Sequence, residues 1–409
     1  MALNCREQIV SEEYVAFIWQ SSWSEEELRR VFPDTCWQII NNYYTAFYAD
    51  SSFLRPGYDT EYGYEVFPAL YTPLQNESLE AANILQLQNQ PVLQLKGEGV
   101  LVGMIDTGID YTNACFRDLA GKSRIRELWD QTDQSGTTPE GSGYGPVYTQ
   151  EELNRALENA EPFSIVPSRD DSGHGTKLAA IAAGSENLET GWIGAAPLSE
   201  LAVVKLKPAK RYLKEYFMVP EEAEAYQEND IMLGVRYLHE LALRERRPLV
   251  ICLGLGTNMG GHAGTSPLSF YLNTIASVAG RCIVIAGGNE ANQGHHFYGT
   301  LNRGEEYQDV ELRVAEDEGG LMMELWSNTP DVFSVSLISP SGEEVPRVTS
   351  GMRNLRFDFL FEKTIVNVNF QSLDPYSGDQ LIAIRMSEPT PGIWRLRVYG
   401  ETVIDGIYN

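Results

Sequence analysis

The 409-residue sequence predicts an α/β protein: a parallel sheet with helices on both faces, a short region before it and a β-sandwich or jelly roll after it. Three observations predict it. From about residue 71 to 300, unbroken apolar strands alternate with helices, the pattern of a parallel sheet buried on both faces. After residue 300, about seven strand-like segments follow one another, many alternating, with Gly, Pro, Asp and Ser in the turns. Residues 1–70 are aromatic and acidic and fit neither pattern.

The elements follow in order. Ser24-x-x-Glu27 reads as a capping box opening a short helix through Arg30. Residues 37–48 have near-helical apolar spacing through Trp37, Ile39, Ile40, Tyr43, Tyr44, Phe47 and Tyr48, and the Gly- and Tyr-rich stretch 57–64 reads as a linker. A helix at Ser78–Leu85 precedes a strand at Val100–Ile105. Leu201–Leu206, Leu249–Leu253 and Cys282–Ala286 are further buried strands. Asn229–Arg244, with Asn229 and Asp230 as its cap signal, and Pro267–Ala279 are helices. The later strands are Val310–Val314, Leu321–Trp326, Phe333–Ser339, Leu355–Phe361, Thr364–Phe370, Gln380–Met386 and Gly392–Val398. The domains expected are 1–70, 71–300 and 301–409.

A net charge of −26 repels nucleic acid and anionic lipid, so neither is expected as a partner. No apolar run reaches the length of a membrane span, and the N-terminus lacks a signal-peptide pattern. Cys5, Cys36, Cys115, Cys252 and Cys282 are odd in number and scattered, which argues against a disulfide framework and for a reducing compartment. Cys252 and Cys282 read as small core residues.

Chemistry concentrates in three segments. Residues 100–108 read Val-Leu-Val-Gly-Met-Ile-Asp-Thr-Gly, which ends a buried strand on Asp106, where a carboxylate is costly unless paired. Residues 173–184 read Gly-His-Gly-Thr-Lys-Leu-Ala-Ala-Ile-Ala-Ala-Gly, a helix of small residues opened by His174. Ile283–Asn289 is a strand running into Ala-Gly-Gly-Asn. In this order the segments resemble the aspartate, histidine and oxyanion segments of subtilisin-like serine proteases, whose triad runs Asp…His…Ser. The resemblance implies that Asp106 orients His174, that His174 is general base then acid, and that Asn289 stabilises the oxyanion. Leu253, Gly254, Leu255 and Gly256 resemble the strand that pairs with the substrate backbone. Trp129-Asp130-Gln131-Thr132, Gly294-His295-His296 and a β unit inserted after Asn289 are similar to the clostridial Csp-type subtilases, associated with spore germination. That resemblance implies a prodomain at residues 1–70, able to act as an intramolecular inhibitor, and a cytoplasmic or spore-associated protein.

Other residues carry plainer readings. His295-His296 lacks a third ligand at metal spacing, and Glu221–Glu228 lacks the Gly turn of a calcium loop, so no metal and no cofactor are expected. His239 reads as a surface residue, and His262 sits in a Gly-rich loop. Gly264-Thr265-Ser266-Pro267 imitates a nucleophile motif but precedes Asn289, so Ser266 reads as a helix cap. Ser350 lies in strand-like sequence of the β unit. With neither serine in the required setting, the sequence reads as C-terminally incomplete, with an apolar sheet edge left exposed. The expected function is serine endopeptidase acting on protein or peptide, inactive in this chain; the alternative is a pseudoprotease that binds peptide or regulates.

Overall fold

A computed structural model describes residues 5–20, 22–33, 35–53, 66–73, 84–187, 192–291 and 293–409. The chain opens with α1 (Cys5–Val10), β1 (Tyr14–Gln20), α2 (Glu25–Val31), β2 (Cys36–Ile39) and β3 (Tyr44–Asp50). The three strands form an antiparallel sheet in the order β1-β3-β2. Helix α2 begins at the expected capping box, with Ser24 and Glu27 satisfying each other's backbone amides. Residues 37–48 are not helical. Asn41 Oδ1 accepts from the amides of Tyr43 and Tyr44 at 2.8 Å, a side-chain turn that folds this run into a hairpin. Stretch 57–64 lies outside the described residues, as does most of the helix expected at Ser78–Leu85.

Cys5 and Cys36 form a disulfide that ties α1 to β2, which corrects the reading of five separate thiols. Cys282 is exposed rather than buried, because its strand lies at a sheet edge.

Then come β4 (Leu70–Pro73), α3 (Ile84–Gln88), β5 (Leu101–Asp106), β6 (Ile125–Asp130), β7 (Val147–Thr149), α4 (Gln150–Leu157), α5 (His174–Ala183) and β8 (Glu200–Lys205). They are followed by α6 (Arg211–Tyr216), β9 (Tyr226–Gln227), α7 (Glu228–Glu245), β10 (Leu249–Leu253), β11 (Leu255–Gly256), α8 (Pro267–Ala276) and β12 (Arg281–Ile285). The central sheet has the order β12-β10-β5-β8-β6-β7, parallel except for β7. Every residue of β5 is buried, as a central parallel strand requires. Gly103 admits α7: a Cβ there would lie 2.7 Å from Leu238 Cδ1. Helix α7 starts at Glu228, one residue ahead of the Asn229/Asp230 cap signal, and both of those residues are buried in its first turn. Strand β12 is the sheet edge and exposes Val284 and Ile285.

All seven later strands are present. One antiparallel sheet joins Gln308–Val314, Gly392–Thr402 and Val332–Ile338; another joins Gly320–Ser327, Gln380–Ser387, Ile365–Gln371 and Asn354–Asp358. They share an apolar core that includes Phe333, Val366, Met386 and Trp394. No helix among the described residues is long and apolar enough to cross a membrane.

The N-terminal sheet is fastened to α6. Lys210 Nζ donates to the carbonyls of Gln8, Ser11 and Tyr14, at 3.3, 2.9 and 2.5 Å. Tyr212 bonds both the amide and the carbonyl of Ala16 on β1. Burial first, and then the neighbouring Lys207, pull the Lys210 ammonium down to about 7, while Asp230 and Glu12 oppose the shift. Between pH 7 and the ordinary lysine value the unfolded chain therefore binds the extra proton, so stability rises with pH across that window. Urea melts at pH 7 and 9 are expected to show a gain of about 1–2 kcal/mol that Lys210→Met removes; an identical gain in both proteins would refute it.

Candidate active site

Asp106 ends β5 and is fully buried; His174 opens α5 and is 7% exposed. His174 Nδ1 and Asp106 Oδ1 are 2.7 Å apart. The Thr107 amide donates to the same oxygen at 2.8 Å. A buried carboxylate finds its partner here, as the end of an apolar strand demands. The Asp106 contact is made through Nδ1 and so bears on which ring nitrogen carries the proton.

A further carboxylate locks the histidine helix to the aspartate turn. Asp170 Oδ1 accepts from the Thr107 hydroxyl at 2.7 Å and the Gly173 amide at 2.9 Å. Its Oδ2 accepts from the amide and hydroxyl of Thr176, at 2.8 and 2.6 Å. Thr107 Oγ1 in turn accepts from the Gly175 amide, and Thr176 Oγ1 from the Asp110 amide. Burial would raise the Asp170 carboxyl, but these hydroxyls and amides hold it below the ordinary carboxylate range. Gly173 enters the helix at φ 74°, a left-handed conformation in which glycine is unstrained. Sequence reasoning missed Asp170; an acidic residue four positions before His174 was the available signal.

The four residues expected on the substrate strand divide. Leu253 ends β10 inside the central sheet, opposite Ile105 and Ile285. Gly254 stands against the pair: a Cβ there would lie 2.4 Å from Leu178 Cδ2, 3.1 Å from His174 Cε1 and 3.2 Å from Asp106 Oδ2. Leu255 and Gly256 form β11, whose edge is occupied by the chain's own β4, with Leu255 opposite Pro73 and Gly256 opposite Thr72. On its other side β4 pairs with β9.

Asn289 lies beyond the C-terminal end of β12, the same sheet edge at which β5 delivers Asp106 and β10 delivers Gly254. Ser266 is the N-cap of α8, its hydroxyl accepting from the Ser269 amide. Ser350 donates to Glu401 at 3.2 Å within the β unit. His295 Nδ1 is 2.6 Å from Glu290 Oε2, and His262 meets the ring of His296 edge to face.

A buried carboxylate bonded to an imidazole thus stands at the carboxyl edge of a parallel sheet. This chain belongs to the subtilase family, whose model matches residues 97–355. It is similar to the solved structure of the Clostridium perfringens CspB protease, with 30% sequence identity and a TM-score of 0.68, over 80% of this chain and 66% of that one. The chain thus spans just under two thirds of that protease's length. No curated protein matches the chain.

Proposed function

We propose that the chain carries the aspartate–histidine half of a serine endopeptidase site together with its peptide groove. The 2.7 Å contact between His174 Nδ1 and Asp106 Oδ1 carries this reading. Asp106 fixes the tautomer; His174 Nε2 takes the proton from an attacking hydroxyl and returns it to the leaving amine; Asn289 donates to the oxyanion. Such chemistry needs no cofactor. The peptide adds as a strand to the Leu255–Gly256 edge, its backbone close to the glycines.

The nucleophile is assigned to neither serine whose sequence setting invites it, since Ser266 is engaged as a helix cap and Ser350 is bonded to Glu401. The chain by itself is therefore read as binding peptide without cutting it. A serine-directed phosphonate probe should leave the purified protein unlabelled; labelling that vanishes in His174→Ala would overturn this.

Residues 1–70, 71–300 and 301–409 are proposed as N-terminal, protease and inserted β units, with the N-terminal unit an intramolecular inhibitor. β4, seated on β11 through Thr72 and Pro73 just past that boundary, makes the kind of contact that such an inhibitor would use. The same seating favours a second reading, a non-catalytic peptide-binding protein. The paired Asp106 and His174 weigh against it, because a groove without chemistry has no need of either.

A further inference from the structure

Glu228, the first residue of α7, is 2% exposed. Its carboxylate receives three donors: the Leu268 amide at 3.0 Å, the Ala69 amide at 3.4 Å and the Tyr71 hydroxyl at 3.4 Å. Ser266, the serine whose sequence setting imitated a nucleophile, lines the same cavity as these groups, with its hydroxyl engaged by Ser269. Tyr71 itself is 8% exposed and lies on β4, opposite Tyr226. Glu228, Ser266, Leu268 and Tyr71 line one open cavity of about 1040 Å³ that also reaches Leu255 and Gly256.

The division of these donors is informative. Leu268 belongs to the body of the protein, whereas Ala69 and Tyr71 belong to the segment lying in the groove. Burial raises the Glu228 carboxyl, and the Leu268 and Ala69 amides with the Tyr71 hydroxyl act against that rise. If the segment leaves, the carboxylate loses two of its three donors, and whatever replaces the segment must restore them or leave a buried anion undersatisfied.

We propose that Glu228 forms a tyrosine-selecting subsite, so that the groove prefers peptides that set a tyrosine phenol against its carboxylate while their backbone pairs with Leu255–Gly256. This rests on the peptide-groove reading above, and Tyr71 is its resident occupant. A phenylalanine matches the shape but supplies no donor. Sites built to hydrogen-bond a hydroxyl reject the analogue lacking it far more strongly than apolar pockets distinguish methylene groups. A carboxylate serving only to favour the N-terminus of α7 would not distinguish the two rings.

Two measurements on the full chain test this. Hydrogen exchange of residues 69–73 and 255–256 should speed up roughly ten-fold in Tyr71→Phe, with β5 and β8 unchanged, and the effect should shrink in a Glu228→Gln background. A fluorescent peptide of residues 66–73 is then titrated, beside its phenylalanine analogue, into the Tyr71→Ala chain, in which exchange reports that β4 opens. Binding of the tyrosine peptide roughly ten-fold tighter supports the subsite. Equal binding, or unchanged exchange in Tyr71→Phe, overturns the subsite and leaves the groove standing. Binding of neither peptide overturns the groove reading, and the subsite with it.

Discussion

Asp230→Ala is expected to cost the fold about 3–5 kcal/mol, because it removes one partner of a buried ion pair and strands the other. Asp230 is fully buried, with Oδ2 2.5 Å from Lys207 Nζ and Oδ1 accepting from the Tyr144 hydroxyl at 3.0 Å. Lys207 is 6% exposed, with little water to solvate its charge. Without Asp230, the buried Lys207 ammonium loses its carboxylate partner. Urea melts measure the loss, and a cost below about 1 kcal/mol would refute the argument. Lys207→Met with Asp230→Leu is expected to recover most of it, since a buried pair exchanged for apolar side chains is often neutral. The cluster lies where the N-terminal sheet meets α7: Asn229 reaches Tyr48, and Tyr48 donates to Gln38. Loss of stability should therefore come with release of that sheet, visible as faster exchange in β3.

Why the sequence announced Asp106 and His174 but not Lys207 and Asp230 follows from how each pair is built. The first sits in local strings, a strand ending Asp-Thr-Gly and a helix beginning His-Gly-Thr, whose small residues are forced by close approach: a Cβ at Gly175 would lie 2.2 Å from Gly108 O. The second joins a loop after β8 to the first turn of α7, and no spacing marks it. Asp230 reads as a helix cap because caps and buried first-turn acids share a composition. Residues 37–48 were misread for a related reason. Aromatic residues that cover one face at a period near 3.6 also fill a two-sided hairpin, and only Asn41 distinguished the two. The seating of β4 on β11 was illegible, since Leu70–Pro73 pairs with residues more than 150 positions away. The alternation of apolar strands with helices was legible throughout, because burial on both faces constrains every residue of β5.

Arg124→Met should cost about 2–4 kcal/mol, as up to three buried carbonyls lose their donor while the apolar stem is kept. The Arg124 side chain is held at 7% exposure; Nη1 donates to Ser199 O at 2.5 Å, and Nη2 donates to Cys115 O at 2.9 Å and Ala183 O at 2.5 Å. One guanidinium thus ties the last residue of α5 to the approach of β8 and the loop after β5. Burial lowers the pKa of this group from a starting point so high that it stays a cation, and its carbonyl partners take the place of water. The two ends of the histidine helix are consequently held by separate devices, Asp170 and the threonines at the N-terminus and Arg124 at the C-terminus. Because helix ends fray independently, Arg124→Met should raise hydrogen exchange at residues 180–184 while the Gly175 amide, bonded to Thr107, keeps its protection. Equal loss at both ends would mean that the helix opens as one unit and that Arg124 supports His174 directly. Arg124→Lys, which keeps the charge but not the planar fork, should recover only part of the stability. On this account the imidazole keeps its 2.7 Å contact with Asp106 even when the far end of its helix is loosened.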